Sequence, residues 1–417
     1  MHYAYQALPD NVSKTMKVQQ NPHDPLFVND PYAAYARWHK EAHAIYWEEY
    51  GFWCLYRYED VAAVLRDRRF ARLPPACASK PPMAPHLADF AAAEKYSLLA
   101  LEPPQHTRLR KLVNQAFVSR QVMQLQPLVK AIANQCIDDF EAGGSVDLLQ
   151  HFATPVPLNI ITRLLGVPES AGSKLLSWSH AMVRVYTLTQ TLEEEITANQ
   201  AAADFREFLF DILQQKRTNP GDDLLSQLLT IRDEQQPISD DEIVSVSILL
   251  LNAGHEATVH QLGNAVYALL TKYPGEHRAQ LTSLLADDDT ADTVVAECLR
   301  YAAPLHLFTR YAQQPVTLTE NVMLKPGDQL GLLLAAANRC PRKFHQPNQF
   351  LPGRVDAAHL SLGAGIHFCV GAQLSKLELR TALQVLFKRL PQLELAAEPE
   401  YQDAYHFHGL QQLMVRW

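Results

Sequence analysis

Long apolar runs are missing from this 417-residue chain. Without a stretch of about 18 apolar residues, no segment reads as a membrane-spanning helix, and the opening Met1-His-Tyr-Ala-Tyr-Gln has no basic region leading into an apolar core. No membrane anchor and no secretory leader are therefore expected. Paired cysteines are missing too: Cys54, Cys77, Cys136, Cys298, Cys340 and Cys369 lie far apart, with no C-x-x-C. That spacing excludes a zinc ribbon or disulfide framework and is compatible with a cytoplasmic protein. Basic charge is not in surplus either, since 37 Lys and Arg stand against 45 Asp and Glu, a formal charge of −8. That balance argues against generic nucleic-acid binding but leaves room for a local basic patch. There is no Gly/Ser linker, low-complexity run or internal repeat, so residues 1–417 read as one two-lobed domain, with 1–30 irregular. A dinucleotide-binding loop is absent as well: after Gly363 and Gly365 the fingerprint needs glycine at 368, where Phe368 stands.

What is present is an ordinary globular composition, 47% hydrophobic and 20% charged. The pattern predicts a mainly α fold with a smaller β region. A hairpin is expected over 45–56, turning at Gly51, and mixed strand and loop after Pro304. Amphipathic segments are clearest over 60–66, 121–141 and 201–216. Ser239-Asp-Asp-Glu242 is a capping box opening an apolar periodicity that runs to Leu270 and stops at Tyr273-Pro-Gly. About 30 residues at 1.5 Å each make a helix of roughly 45 Å, long enough to cross a molecule of this size.

In the middle of that helix lies Leu251-Asn-Ala-Gly-His-Glu-Ala-Thr258. Glycine inside a helix costs about 1 kcal/mol relative to alanine, so Gly254 points to a close approach or a local distortion, unless it is simply tolerated. His255-Glu256 followed by His260 imitates a zinc-protease motif, but the second histidine comes five residues after the first. At 3.6 residues per turn the two rings are about 140° apart, so they do not form that site.

Near the C-terminus, His359-Leu-Ser-Leu-Gly-Ala-Gly-Ile-His-Phe-Cys-Val-Gly371 places Cys369 among three glycines, just before an amphipathic helix that Pro391 ends. Taken alone, Cys369 reads as a small buried core residue. A helix N-terminus, however, favours a thiolate, and Gly363, Gly365 and Gly371 allow positive φ and leave room beside the backbone for a flat cofactor.

The whole segment resembles the haem-ligand loop of the cytochrome P-450 superfamily, Phe-Gly-x-Gly-x-His-x-Cys-x-Gly, with Leu362 in place of the Phe. The resemblance implies a P-450-like two-lobed fold with the long helix over the haem, and Cys369 as the axial ligand of haem b iron. A thiolate in that position pushes electron density onto iron. Leu362 is expected to alter the redox potential rather than abolish haem binding. His367 would donate to a haem propionate, as would His106 and Arg110, four apart in Leu101-Glu-Pro-Pro-Gln-His-Thr-Arg-Leu-Arg110, and Arg310 in Phe308-Thr-Arg-Tyr-Ala312. Glu297-x-x-Arg300 by its spacing is a common surface pair. With Arg354 it resembles the Glu-Arg-Arg network that braces the haem loop. Ala337-Asn-Arg-Cys-Pro341 also matches, with Cys340 replacing the usual Asp.

The central segment is similar to the family's oxygen-binding Ala-Gly-x-Glu/Asp-Thr-Thr. Ala253, Gly254, Glu256 and Thr258 match, but Ala257 stands where the first threonine belongs. In relatives that hydroxyl and the acid deliver protons to bound dioxygen. Three routes remain: a substrate hydroxyl or ordered water, as in some macrolide-hydroxylating relatives with alanine here; Thr258; or peroxide in place of dioxygen. Thr258 is turned about 100° from 257, which favours the first.

The resemblance further implies a substrate pocket of Leu250, Ala253, Leu305, Leu307, Phe308, His406 and Phe407, apolar enough for a hydrophobic small molecule. Substrate-entry elements are expected at 73–104 and 168–196. Electrons would come from a ferredoxin or flavodoxin with its NAD(P)H-dependent reductase. That partner would dock on Arg108, Lys111, Arg120, Lys376 and Arg380, unless these are merely a solvated face. The expected activity is that of a cytoplasmic, monomeric, ferredoxin-dependent haem-thiolate monooxygenase. The alternatives are a peroxygenase, an oxidative-coupling catalyst, or a haem-binding protein without turnover.

Overall fold

Tyr46, Trp47, Phe52 and Trp53 flank a turn at Gly51, whose φ of +73° suits glycine and few other residues. In the computed structural model these residues form β2 (Ala44–Trp47) and β3 (Phe52–Leu55), antiparallel as the pattern requires. The structure describes residues 14–78, 83–116, 122–186, 190–230 and 238–417. Residues 79–82, inside the first expected entry element, and 187–189, inside the second, lie outside it.

The chain divides into two compact units. The first comprises Met1–Lys80, Thr293–Cys369 and Glu400–Gln411. Its six-stranded sheet runs β1 (Thr15–Val18), β2, β3, β9 (Gln329–Leu333), β6 (Leu307–Ala312) and β4 (Phe70–Ala71). β7 (Val316–Thr319) and β8 (Val322–Leu324) form a separate hairpin. Here the expectation of an irregular 1–30 fails for residues 15–29. Thr15–Val18 pairs in parallel with Ala44–Trp47, and Pro25–Asn29 is a short helix capped by Asp24, whose carboxylate accepts from the Leu26 N–H. The strand is four residues long and depends on a distant partner, so local pattern could not show it. Aromatic packing anchors this end: Phe27, Tyr35, Trp38, Trp47 and Tyr405 are all buried together.

The second unit comprises Pro81–Asp292, Val370–Pro399 and Gln412–Trp417 and is mostly helical. A small sheet, β10 (Glu394–Leu395), β11 (Met414–Arg416) and β5 (Ser145–Asp147), closes on it. The central helix spans Asp240–Lys272, 33 residues, so about 50 Å. Both bonds of its capping box form, and acids at 240–242 complement the helix N-terminus. Apart from a few positions near its middle it is buried almost throughout, against Ile161, Phe205, Leu213 and Leu228 among others. Gly254 is not demanded by the surrounding protein: a Cβ there would meet Ile161 at 3.5 Å, an ordinary contact. The other expected amphipathic helices are found over Tyr58–Val64, Gln126–Phe140 and Leu192–Thr218, and the helix after Cys369 over Ala372–Arg389. Residue 121, the expected start of the second, is outside the described residues.

Candidate active site

Cys369 is held by a tight backbone turn. Its N–H donates to Leu362 O at 2.9 Å, the Gly363 N–H donates to Leu360 O at 2.8 Å, and Gly365–His367 form one turn of 3₁₀ helix. Because Leu362 contributes a carbonyl, the turn closes without the aromatic ring of the family pattern. Gly363 and Gly365 have φ of +70° and +72°, and a Cβ on Gly365 would collide with the carbonyl oxygen of Leu65. Gly371 departs from expectation: its φ is −81°. It stands at the N-cap of the Ala372–Arg389 helix, where a negative φ carries the chain into the first turn, so no left-handed angle is needed.

The loop is tied down from behind. Asn338 Oδ1 accepts from the Leu360 N–H at 2.7 Å, its amide donates to Ser361 Oγ at 2.7 Å, and that hydroxyl donates to Leu299 O at 2.5 Å. The Asn338 carbonyl in turn accepts from Arg300 Nη1 at 2.9 Å. Arg300 is bidentate on Glu297, with both bonds at 2.7 Å, and Arg354 Nε reaches the same carboxylate at 3.0 Å. None of the three side chains is more than 4% exposed. The surface reading that the Glu297 to Arg300 spacing allows is thus excluded. Asn338 belongs to the matching Ala337–Pro341 segment and Ser361 to the cysteine loop, but their bridging bonds depend on partners that only folding brings together.

The same unit gathers most of the expected pocket wall. Leu305 and Phe407 form an isolated antiparallel bridge, the His306 N–H donates to His406 O at 3.3 Å, and Leu307 and Phe308 continue along β6. The Phe308 ring lies 3.7 Å from where a Cβ of Gly363 would be, so this wall adjoins the cysteine loop. Arg310, buried on β6, donates from Nη1 to Thr309 O at 2.9 Å. His367 is half-buried.

In the second unit, His106 and Arg110 share the helix Gln105–Ala116; His106 is buried and Arg110 half-buried. On the central helix, the small residues Ala253, Gly254 and Ala257 are the open ones in a stretch where Leu250, Leu251, Thr258 and Val259 are buried. Glu256 is ringed by imidazoles: His260 Nε2 at 3.2 Å, His180 Nε2 at 3.5 Å and His255 Nδ1 at 3.7 Å. Burial opposes its charge, but the His260 hydrogen bond and the three rings outweigh that and pull its pKa down to about 2. Burial lowers His255 to about 4, so its imidazole is neutral near pH 7.

Two members of the expected docking patch are engaged elsewhere. Arg108 is ion-paired with Glu242, and Arg380 with Asp292 at 3.1 Å and Asp288 at 3.4 Å. Arg120 lies outside the described residues, while Lys111 is exposed and Lys376 half-exposed. A mixed array of charges satisfies itself in this way because the opposing carboxylates are contributed by distant segments.

The family model for cytochrome P450 matches residues 28–403. The chain belongs to the cytochrome P450 family. It is 36% identical over 401 residues to the cytochrome P450 monooxygenase PikC of Streptomyces venezuelae, covering 94% of this chain and 92% of that one. It is 37% identical over 319 residues to the 6-deoxyerythronolide B hydroxylase of Saccharopolyspora erythraea, covering 76% of each. Among solved structures, P450BioI in complex with a hexadec-9Z-enoic acid-ligated acyl carrier protein superposes with a TM-score of 0.85 at 30% identity, covering 94% of this chain and all of that one. PksS of the Bacillus subtilis bacillaene polyketide synthase gives 0.84 at 30%, covering 95% and 99%.

This P450 is therefore a haem-thiolate monooxygenase of the bacterial type. It uses haem iron, dioxygen and electrons from an external redox partner. Among its described residues no helix is long and apolar enough to cross a membrane. The residues present fit the cofactor. A glycine turn that tolerates no Cβ at 365 presents a sulfur, a buried arginine lies on the neighbouring sheet, and the central helix is narrowed to small side chains at 253, 254 and 257.

Proposed function

We propose that this P450 hydroxylates a polyketide-like lipophilic molecule, with haem b held by Cys369 and with proton delivery that does not use a hydroxyl at position 257. The observation that carries the reading is Ala257 beside an ionised, imidazole-held Glu256. The names of the relatives support the substrate class: a 6-deoxyerythronolide B hydroxylase and a polyketide biosynthesis P450 are among them. The family match over residues 28–403 supports a single catalytic domain.

Bound haem iron supplies the activation of dioxygen. The chain supplies the rest. Cys369 Sγ would bind the iron, and His106, Arg110, Arg310 and His367 would hold the propionates by charge-assisted hydrogen bonds. Gly254 and Ala257 keep the helix backbone accessible, and Glu256 holds and passes protons at its carboxylate oxygens, through ordered water or a substrate hydroxyl. Thr258 is buried and turned about 100° from 257, so it plays a supporting part. Leu305, Leu307, Phe308, His406 and Phe407 in the first unit, and Leu250 and Ala253 in the second, are the residues that would hold the guest by apolar burial. A monomeric, cytoplasmic enzyme served by a ferredoxin or flavodoxin and its NAD(P)H-dependent reductase completes the reading; exposed Lys111 supports an acidic partner.

Cys369→Ser tests the ligand. The folded variant is expected to lose the red-shifted thiolate band of the reduced carbon monoxide complex, and an unchanged band overturns the assignment. Ala257→Thr tests the relay, read as product formed per NAD(P)H consumed. Equal or lower coupling is expected, because a native route already exists; a gain of about tenfold or more shows that the missing hydroxyl was limiting. Free polyketides and carrier-bound acyl chains, compared for their ability to shift the iron spin state, test the substrate class.

A further inference from the structure

Three groups from two helices of the second unit converge away from any sequence motif: His180 on Gly172–Val183, and His255 and Glu256 on the central helix. Their donor atoms all lie within 4.8 Å of one another, and they are the only such metal-capable cluster among the described residues. His180 Nε2 is 3.5 Å, and His255 Nδ1 3.7 Å, from the same oxygen, Glu256 Oε2. His255 is 1% exposed, yet neither of its ring nitrogens has a hydrogen-bond partner among the described residues, and nor does Glu256 Oε2. Burying such polar atoms without partners is costly, so the lone pairs of Glu256 Oε2 and of one His255 ring nitrogen call for an occupant that accepts them.

We propose that His180, His255 and Glu256 form a binding site for a divalent transition cation of the zinc class. A tetrahedral zinc with nitrogen and oxygen ligands at about 2.0–2.1 Å sets its donor atoms roughly 3.3–3.4 Å apart. The two measured separations are within a few tenths of an ångström of that. His180 is the adjustable donor, its side chain being 54% exposed, so rotation of one surface ring completes the geometry and leaves a fourth position to water. His260 already holds the other carboxylate oxygen at 3.2 Å, the second-layer bond that orients a ligating carboxylate. This is not the His255 and His260 pairing that the motif imitates. The second imidazole comes from another helix, and the cation would clamp the two helices together.

Any effect of the cation on turnover rests on the reading of Glu256 as the proton-handling group; the site itself does not. The test is equilibrium dialysis of the haem-containing enzyme against zinc, with bound metal counted per protein. The wild type is expected to retain one equivalent that His180→Ala loses, with affinity weakened by more than about 100-fold, since losing even an outer partner commonly costs 10–100-fold. His180→Cys, which restores a zinc ligand, is expected to recover it. His180 is exposed, so these variants spare the core. Failure of the wild type to retain zinc overturns the site, as an internal water would then satisfy the orphaned atoms. Equal retention by His180→Ala also overturns it, placing the metal at exposed pairs such as His23 with Asp403 or His86 with Glu195. Zinc retained at this site with unchanged turnover supports the site and counts against Glu256 as proton carrier.

Discussion

Glu297→Ala is expected to cost about 3–5 kcal/mol of stability, because it leaves two buried guanidinium groups without their counter-ion. Arg300 is fully buried and bidentate on that carboxylate, and its remaining N–H groups go to the carbonyls of Asn338, Pro347 and Gln349. Arg354 shares Glu297 Oε1 with the Leu351 N–H at 2.7 Å, and its own Nη atoms donate to the carbonyls of His345, Gln346 and Gln349. One carboxylate thus organises residues 338–354. A chain of this length has a large unfolding entropy, so the loss corresponds to a fall of roughly 3–6 °C in Tm. The effect also reaches the cysteine loop, because Asn338 holds Leu360 and Ser361. Faster haem release than wild type is therefore expected beside the lower Tm. Glu297→Gln keeps shape and some hydrogen bonds and should lose less. An unchanged Tm in Glu297→Ala would show that the network is not under the load its geometry implies.

Acidification is the second large effect. Burial lowers His39, His255 and His406 to about 4 from an ordinary 6.5, and His306 well below its ordinary value. The bonding of His306 suits a neutral ring, with Nε2–H donating to Ala303 O at 3.1 Å and Nδ1 2.8 Å from the Tyr35 hydroxyl. Groups with depressed pKa bind fewer protons folded than unfolded. Their contribution to stability is therefore complete above pH 6.5 and is lost as pH falls from 6.5 toward 4. Each is worth at most about 1.4 kcal/mol per pH unit across that window, or roughly 3 kcal/mol in all for a shift from 6.5 to about 4. Glu94 and Glu378 act oppositely, since burial raises both and acid relieves them, but they are two against four. The expected result is a Tm that is steady above pH 7 and falls steeply between 6.5 and 4.5. His39→Gln should flatten that slope by about one proton. A Tm independent of pH down to 4.5 would refute it.

Several elements were legible from local order alone. The capping box at Ser239 and Glu242, the tyrosine and proline at 273–274, and the glycine at 51 each act on their own neighbours, and each appears where the pattern put it. The cysteine loop was legible for the same reason: its glycines answer to steric limits within a few residues. Gly371 shows the boundary of such reasoning, because a glycine near a turn need not occupy a left-handed angle. Where a helix begins decides that, and here the helix starts at Ala372.

By itself, the order of residues determined the helices, the hairpin, the thiol in its glycine turn and the family they signal, since these depend on periodicity and on backbone angles within a few residues. Only the tertiary structure decided which charges were buried, that Thr15–Val18 is a strand, that Arg108 and Arg380 have carboxylate partners, and that His180 meets Glu256. Those outcomes depend on segments dozens to hundreds of residues apart, and a side chain's cost or use is set by the partner and the dielectric that folding places around it.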